Sequence, residues 1–147
     1  MSQATVFDVA KYILEKQGSM SAMKLQKLIY YSQAWSLVWD DQPLFQNRIE
    51  AWANGPVVRE LYDVHRGKFQ VNHEDFSTYS KQELTPEQKK TVDAVLEAYG
   101  SKSAQWLSDQ THSESPWQDS RNDLSDTERG SREITLESMA EYYGSLL

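Results

Sequence analysis

The sequence predicts a mainly α (α+β) fold: a compact helical domain with a small two- or three-stranded antiparallel β element. Most apolar residues recur at intervals of three and four, as they do on the buried face of a helix. Several of these segments begin at a residue that can cap a helix and end at glycine. Only a few short segments alternate between apolar and polar residues, which is the pattern of strands.

The first forty residues predict two helices. Thr5 is the candidate N-cap of a helix over residues 5–17, and Gly18 ends it. Ser21 can cap a longer helix over about 22–40, which breaks at the segment Asp40-Asp41-Gln42-Pro43. Large apolar residues occur all around this second helix, so we expect it to be central and covered on more than one side.

Short extended segments follow the second helix. Leu44-Phe45 and residues 48–52 predict two strands, which can form a hairpin. The pattern then becomes helical at Pro56, which we place at the first helical position because proline has no N–H group to leave unpaired there. This helix is expected to end at Gly67, and a third short strand can follow at 69–71.

The second half of the chain predicts three more helices. The segment Thr85-Pro86-Glu87-Gln88 begins the first, since threonine can cap it and glutamine can reach back to the cap residue. Gly100 ends this helix, and another is predicted over about 103–111. Thr135 is the candidate cap of the last helix.

We expect residues 1–147 to form a single domain, since this length is sufficient to bury a hydrophobic core. Within the domain, residues at about 113–133 are rich in Ser, Asp, Glu and Arg. They are predicted to form a long polar loop, ordered where Trp117 and Leu124 dock.

The composition argues against several classes of protein. The chain has no cysteine, which excludes disulfides and thiolate metal sites. It has no basic-then-apolar N-terminal segment and no apolar run near 18 residues, so we expect a cytoplasmic protein without a membrane span. None of the three histidines stands three or four residues from another, so we expect neither a metal nor a cofactor.

The net charge of −7 is unevenly distributed. Residues 1–100 carry 13 acidic and 11 basic side chains, a net charge of −2, whereas residues 101–147 carry 9 and 4, a net charge of −5. Such a chain repels phosphate backbones, which argues against nucleic acid and favours a basic protein partner. The same acidity also serves solubility.

One feature suggests nucleic-acid binding, because Lys24 and Lys27 stand beside Tyr30 and Tyr31 on one helix. The helix needs several of these aromatic residues for packing, so we interpret the group as core with a solvated lysine edge.

No pattern of catalytic residues is evident. The chain lacks a Gly-x-Ser-x-Gly segment, and the acidic pairs Asp40-Asp41 and Glu74-Asp75 fall in predicted turns. The turn at Gly55-Pro56 lacks the several glycines and the lysine of a phosphate-binding loop. With five Trp and eight Tyr, the composition favours a non-enzymatic domain that binds another protein.

Several segments give the chain a close resemblance to a known family. They are residues 24–35 (KLQKLIYYSQAW), 43–45 (PLF), 49–58 (IEAWANGPVV) and 111–117 (THSESPW), with further matches at 65–69, 99–100, 106–108, 134 and 141–143. In this order they resemble the Panacea domain, the SocA-like antitoxin family that includes phage-associated GepA-like proteins. The resemblance covers nearly the whole chain.

The resemblance implies a bacterial or prophage antitoxin of a toxin–antitoxin system, which neutralises a cognate protein toxin by direct binding. The family pairs with very different toxins, so it does not fix the target. A second hypothesis is a proteolytic adaptor that delivers the toxin to the ClpXP protease. A third is a DNA-binding regulator of the operon or prophage, which the acidic charge disfavours.

The candidate partner-binding residues are Tyr30, Trp39, Arg59 and Glu60. Trp, Tyr and Arg are the residue types that most often anchor interfaces. We expect the family-motif residues to serve the fold instead. Among them, we expect Trp52 to pack the strand element against the central helix. These motif residues are Trp52, Gly55, Pro56, His112, Pro116 and Trp117.

Overall fold

A computed structural model describes residues 4–125 and 128–147. The helices are α1 (Val6–Gln17), α2 (Ala22–Trp39), α3 (Arg59–His65), α4 (Glu74–Ser77), α5 (Pro86–Tyr99), α6 (Ala104–His112), α7 (Ser115–Ser120) and α8 (Leu136–Gly144). The strands are β1 (Met20–Ser21), β2 (Ile49–Trp52), β3 (Gly55–Val57), β4 (Gln70–Val71) and β5 (Glu133–Ile134). Helices account for 56% of the structure, which confirms the predicted fold class.

Helix α2 lies at the centre of the fold. It contacts α1, α5, α6 and α8, and every residue over 25–36 is buried. Neighbours on several sides explain why its apolar residues do not form a single stripe. The prediction of a central helix covered on more than one side is therefore confirmed.

Local sequence signals place the helix starts. Thr5 and Asp8 form a capping box at α1, and Thr85 and Gln88 form another at α5. The Ser21 hydroxyl oxygen accepts from the Lys24 N–H at the start of α2, and the Thr135 hydroxyl oxygen accepts from the Ser138 N–H at the start of α8, so all four predicted caps are confirmed. These bonds satisfy backbone N–H groups that have no partner inside the helix.

The strands form two small antiparallel sheets. Strand β2 lies between β3 and β5, with Trp52 opposite Gly55 and Ile49 opposite Ile134. Strand β4, near the predicted third strand, pairs with β1 in a separate sheet instead of joining the hairpin.

The predicted helix start at Pro56 is wrong. Pro56 lies in β3, where it pairs with Ala51, and α3 begins only at Arg59. The pairing with β2 and a hydrogen bond from the Val58 N–H to Gln26 Oε1 (2.9 Å) keep this segment extended. Proline is tolerated here because β3 is an edge strand.

The predicted strand at Leu44-Phe45 is also wrong. Gln33 of α2 takes the place of a strand partner: its Oε1 accepts from the Leu44 N–H at 2.7 Å, and its Nε2 donates to the Phe45 carbonyl at 2.9 Å. A buried side-chain amide thus satisfies the backbone of an irregular segment.

The segment predicted as a polar loop at about 113–133 contains helix α7 and the first residue of β5. Pro116 and Trp117 of α7 are buried, and Arg121 donates to the carbonyls of Ala51 and Ser125, each at 2.9 Å. Residues 126 and 127 of the predicted loop lie outside the described residues. The loop prediction is wrong for residues 115–120, because they form helix α7, which buries Pro116 and Trp117.

One hydrophobic cluster joins the elements, with buried side chains from Ala4 to Tyr143. Within residues 4–125 and 128–147, no helix is long and apolar enough to cross a membrane.

Candidate partner-binding surface

The β2–β3 hairpin and the segment around α7 contact each other directly. The Trp117 indole N–H donates to the Trp52 carbonyl at 2.8 Å, and the His112 ring stacks on Trp117 with centroids 4.1 Å apart. Ser108 of α6 donates to the Asn54 carbonyl at the hairpin turn, at 3.0 Å. These contacts join two segments that are about 60 residues apart in sequence.

Gly55 is required where the hairpin crosses α2. Its φ is 120°, which L side chains rarely adopt, and an added Cβ would overlap Cε of Lys27. The same Cβ would lie 3.2 Å from Thr111 Oγ1. These contacts, like those of Trp117, support the prediction that the motif residues serve the fold.

Trp52 packs on α3. Its ring meets the Tyr62 ring edge-on, with centroids 4.9 Å apart, and the Arg59 guanidinium lies 5.4 Å from its centroid. The side chain is half-buried, so its remaining surface is accessible beside Arg59. The contacts with Tyr62 and Arg59 show packing on α3, and packing of Trp52 against α2 stays a prediction.

Glu50 fixes the charged groups of this surface. The carboxylate is buried and accepts hydrogen bonds from the Trp52 indole N–H at 2.8 Å and from Arg59 Nη2 at 3.1 Å. Arg48 Nε lies 3.4 Å from its other oxygen. Burial acts to raise the pKa of Glu50, but these hydrogen bonds and the arginine charges outweigh it, so the pKa is lowered. Glu50 in turn raises the pKa of Arg59.

Sequence reasoning missed Glu50, although a signal for it exists. Arg48, Glu50 and Trp52 alternate along one extended segment, so they project from the same face of the strand. The predicted residues Arg59 and Glu60 are both exposed on the first turn of α3, and Arg59 contacts Glu50 and Trp52 of this face. We call the group Arg48, Glu50, Trp52, Arg59 and Glu60 the hairpin surface.

Tyr30 does not belong to any accessible surface. Its side chain is 1% exposed, and its hydroxyl donates to the Tyr143 hydroxyl at 2.9 Å, since Tyr143 gives its own proton to Glu114 at 2.6 Å. Tyr31 donates to the same Glu114 oxygen at 2.8 Å. Burial raises the pKa of all three tyrosines, so their hydroxyls stay protonated. The prediction that Tyr30 contacts a partner is therefore wrong for this fold.

The prediction that Lys27 belongs to a solvated edge is wrong, because Lys27 lies in the core. Its side chain is 1% exposed, and Nζ has no hydrogen-bond partner among the described residues. Burial lowers the pKa of Lys27 to about 7. Burial also lowers the pKa of His65, whose Nε2 accepts from Gln26 on the same helix as the lysine. The helical period predicts a lysine edge only when one side of the helix faces solvent.

Trp39 is accessible at the end of α2. Its side chain is 46% exposed, and its ring stacks on Trp35 with centroids 5.0 Å apart. It therefore stays a candidate partner-binding residue, together with Arg59 and Glu60.

These surfaces offer indole rings, guanidinium groups and carboxylates for contact with another molecule. A cleft of about 340 Å³ lies between α1 and the segment before α5, and its lining mixes lysines with acidic residues. No group of three or more His, Asp and Glu residues within the described ranges could hold a metal ion.

A family model described as "Antitoxin SocA-like, Panacea domain" matches residues 25–118, which is 94 of the 147 residues. The chain belongs to this family. The Panacea domain match includes most of α2, the β2–β3 hairpin and the Trp117 contacts, and it ends before β5 and α8. No curated protein and no solved structure matches the chain.

Proposed function

We propose that this chain is a non-enzymatic antitoxin that neutralises a cognate protein toxin by binding it directly in the cytoplasm. The observation that carries the proposal is the match of residues 25–118 to the SocA-like antitoxin family. The family implies a toxin partner, and the accessible indole and guanidinium groups supply the chemistry that anchors protein interfaces.

The hairpin surface supports direct binding because its groups are held in place before a partner arrives. Glu50 fixes Arg59 by two hydrogen bonds, of 3.1 and 3.4 Å, and Arg59 lies over the Trp52 ring. Side chains already ordered in the free protein lose less entropy on binding. Glu60, exposed next to Arg59, adds a carboxylate that a basic toxin could meet.

A growth-rescue assay tests the proposal. The product of each gene adjacent to this one is expressed alone and with this chain, and one toxic product should lose its toxicity in the presence of the chain. Glu60→Arg should weaken the rescue, whereas Glu97→Arg, at an exposed position of α5, serves as the matched charge-reversal control. If every toxic neighbour stays lethal, the proposal fails.

The same assay separates direct binding from delivery to a protease. Direct binding predicts that rescue persists in a host without ClpXP and that toxin levels stay constant. Rescue that requires ClpXP, with falling toxin levels, would identify a proteolytic adaptor instead. A gel shift with operator DNA at physiological salt should show no complex, because the chain carries a net charge of −7.

A further inference from the structure

We propose that the C-terminal end of α2 binds an arginine side chain that the toxin presents. The site consists of Trp39, Asp40 and Asp41, and we call it the Trp39 site. The inference rests on the proposed function, because it assumes that a protein toxin is the partner. It adds a second contact surface to the hairpin surface and names the side chain that this second surface binds.

The indole of Trp39 supplies a fixed aromatic face. Nearly half of the side chain is exposed, and the stack on Trp35 orients the ring. Trp35 is itself held, since its Nε1–H donates to the Tyr99 hydroxyl at 3.2 Å. Indole is the aromatic ring that attracts cations most strongly, so an immobilised Trp39 can bind a guanidinium with little loss of side-chain entropy.

The end of α2 adds negative potential. The helix has 18 residues, and its aligned peptide dipoles place about half a negative charge at its C-terminus. Lys, Arg or His residues are favourable at this position, yet α2 has no basic residue in its last turn. The last turn of α2 therefore supplies no basic side chain to stabilise the helix end.

Two carboxylates flank the same helix end. Asp40 accepts a hydrogen bond from the Thr91 hydroxyl at 2.5 Å, and Asp41 is exposed with a φ of 56°. Neither aspartate takes part in an ion pair among the described residues. This holds even for Lys90, which is next in sequence to the Thr91 that donates to Asp40. The exposed aromatic face, the C-terminal end of α2 and the two acidic side chains thus belong to three consecutive residues, and among the described residues no ion pair or cation–π contact supplies a cation there.

Trp106 shows the opposite arrangement. Its side chain is 40% exposed, but Lys102 Nζ lies 4.8 Å from its ring centroid. The chain thus covers this indole with its own cation, which makes Trp106 the matched control for Trp39.

Arginine suits the Trp39 site better than other cations. Its planar guanidinium can stack on an indole and donate in a fork to a carboxylate at the same time, which a lysine ammonium cannot do. A metal ion would need more ligands than two carboxylates supply. A second copy of the chain is disfavoured because both copies carry a charge of −7.

The first test needs no toxin. The full chain, labelled with ¹⁵N, is titrated with N-acetyl-arginine amide and, at equal ionic strength, with the uncharged N-acetyl-citrulline amide. The Trp39 indole N–H signal should shift with the arginine compound at least three times as far as with the citrulline compound, and Asp41→Asn should reduce that shift. Equal shifts with both compounds, or no shift at Trp39, would overturn the inference.

The second test uses the toxin that the rescue assay identifies. Trp39→Ala and Asp41→Lys should each weaken its affinity about tenfold, whereas Trp106→Ala and Asp109→Asn should leave it unchanged. Thermal unfolding of each variant shows that it folds, and gel filtration shows whether Asp41→Lys breaks a dimer, which would assign the site to a second copy.

The two proposals fail in different ways. If the unaltered chain neutralises no neighbouring toxin, the proposed function fails, and the arginine titration still decides whether the Trp39 site binds its ligand. If the unaltered chain neutralises a toxin and both Trp39 site variants bind it equally well, the toxin contact at this site is refuted.

Discussion

Replacing Lys27 by methionine should stabilise the fold. Methionine keeps most of the aliphatic side chain and removes Nζ, which is buried without a hydrogen-bond partner among the described residues. Burial of an ammonium is unfavourable, and the protein responds by lowering the pKa of Lys27 from 10.5 to about 7.

The magnitude follows from this pKa difference. Between pH 7 and 10.5 the unfolded chain binds a proton at Lys27 that the folded chain does not bind, so the free energy of unfolding rises with pH there. At about 1.4 kcal/mol per pKa unit, the lysine destabilises the folded state by about 4 kcal/mol at pH 7. At pH 9 the penalty falls to about 2 kcal/mol.

Urea unfolding at pH 6, 7, 8 and 9, followed by circular dichroism, measures this effect. The Lys27→Met protein should be about 4 kcal/mol more stable than the unaltered protein at pH 7, and the difference should shrink by about 2 kcal/mol at pH 9. Lys24→Met, one helical turn earlier on α2, should change the stability by less than about 1 kcal/mol. A Lys27→Met protein that is less stable at every pH would refute the reasoning, since it would show a charged and paired lysine.

Three further predictions concern the core and the hairpin. Gly55→Ala should cost about 2–3 kcal/mol in urea unfolding, because φ is 120° and the methyl group would overlap a buried side chain, whereas Gly144→Ala meets no atom within 4 Å and should be neutral or slightly stabilising. Tyr143→Phe should cost about 1–3 kcal/mol, because Glu114 loses a buried hydrogen bond of 2.6 Å; an unchanged melting temperature would contradict this. Asp8 has a lowered pKa because its hydrogen bonds outweigh burial, so the stability it contributes is present above pH 3.8 and is lost as the pH falls through its folded pKa; acid unfolding of Asp8→Asn should show a weaker pH dependence there.

The sequence predicts those features of the fold that depend on neighbouring residues. The capping boxes at Thr5 and Thr85 each involve a partner three residues away, so the sequence alone places both helix starts. The central position of α2 is predictable as well, because apolar residues surround it.

The errors arise where distant residues decide the structure. Pro56 has the local signature of a helix start, yet the segment stays extended, because Gln26, 32 residues before Val58, accepts from the Val58 N–H. Strand β5 has only two residues, which is too short for an alternating pattern to be visible in the sequence. It forms by pairing with β2. The sequence patterns cannot show such pairings.

The candidate surfaces follow the same rule. Arg59, Glu60 and Trp39 are exposed as expected, because polar residues at a helix start and residues at a helix end tend to face solvent. Tyr30 and Lys27 are buried, contrary to the prediction, because α8 covers Tyr30 and the hairpin covers Lys27.

We propose that this member of the SocA-like antitoxin family neutralises a cognate toxin by direct binding. The most direct test of this proposal is a titration of the purified toxin's activity with the purified chain, with no protease present. Direct binding predicts that activity falls to background near a fixed stoichiometric ratio and that the two proteins elute together in gel filtration. Full toxin activity in a large excess of the chain would contradict the claim.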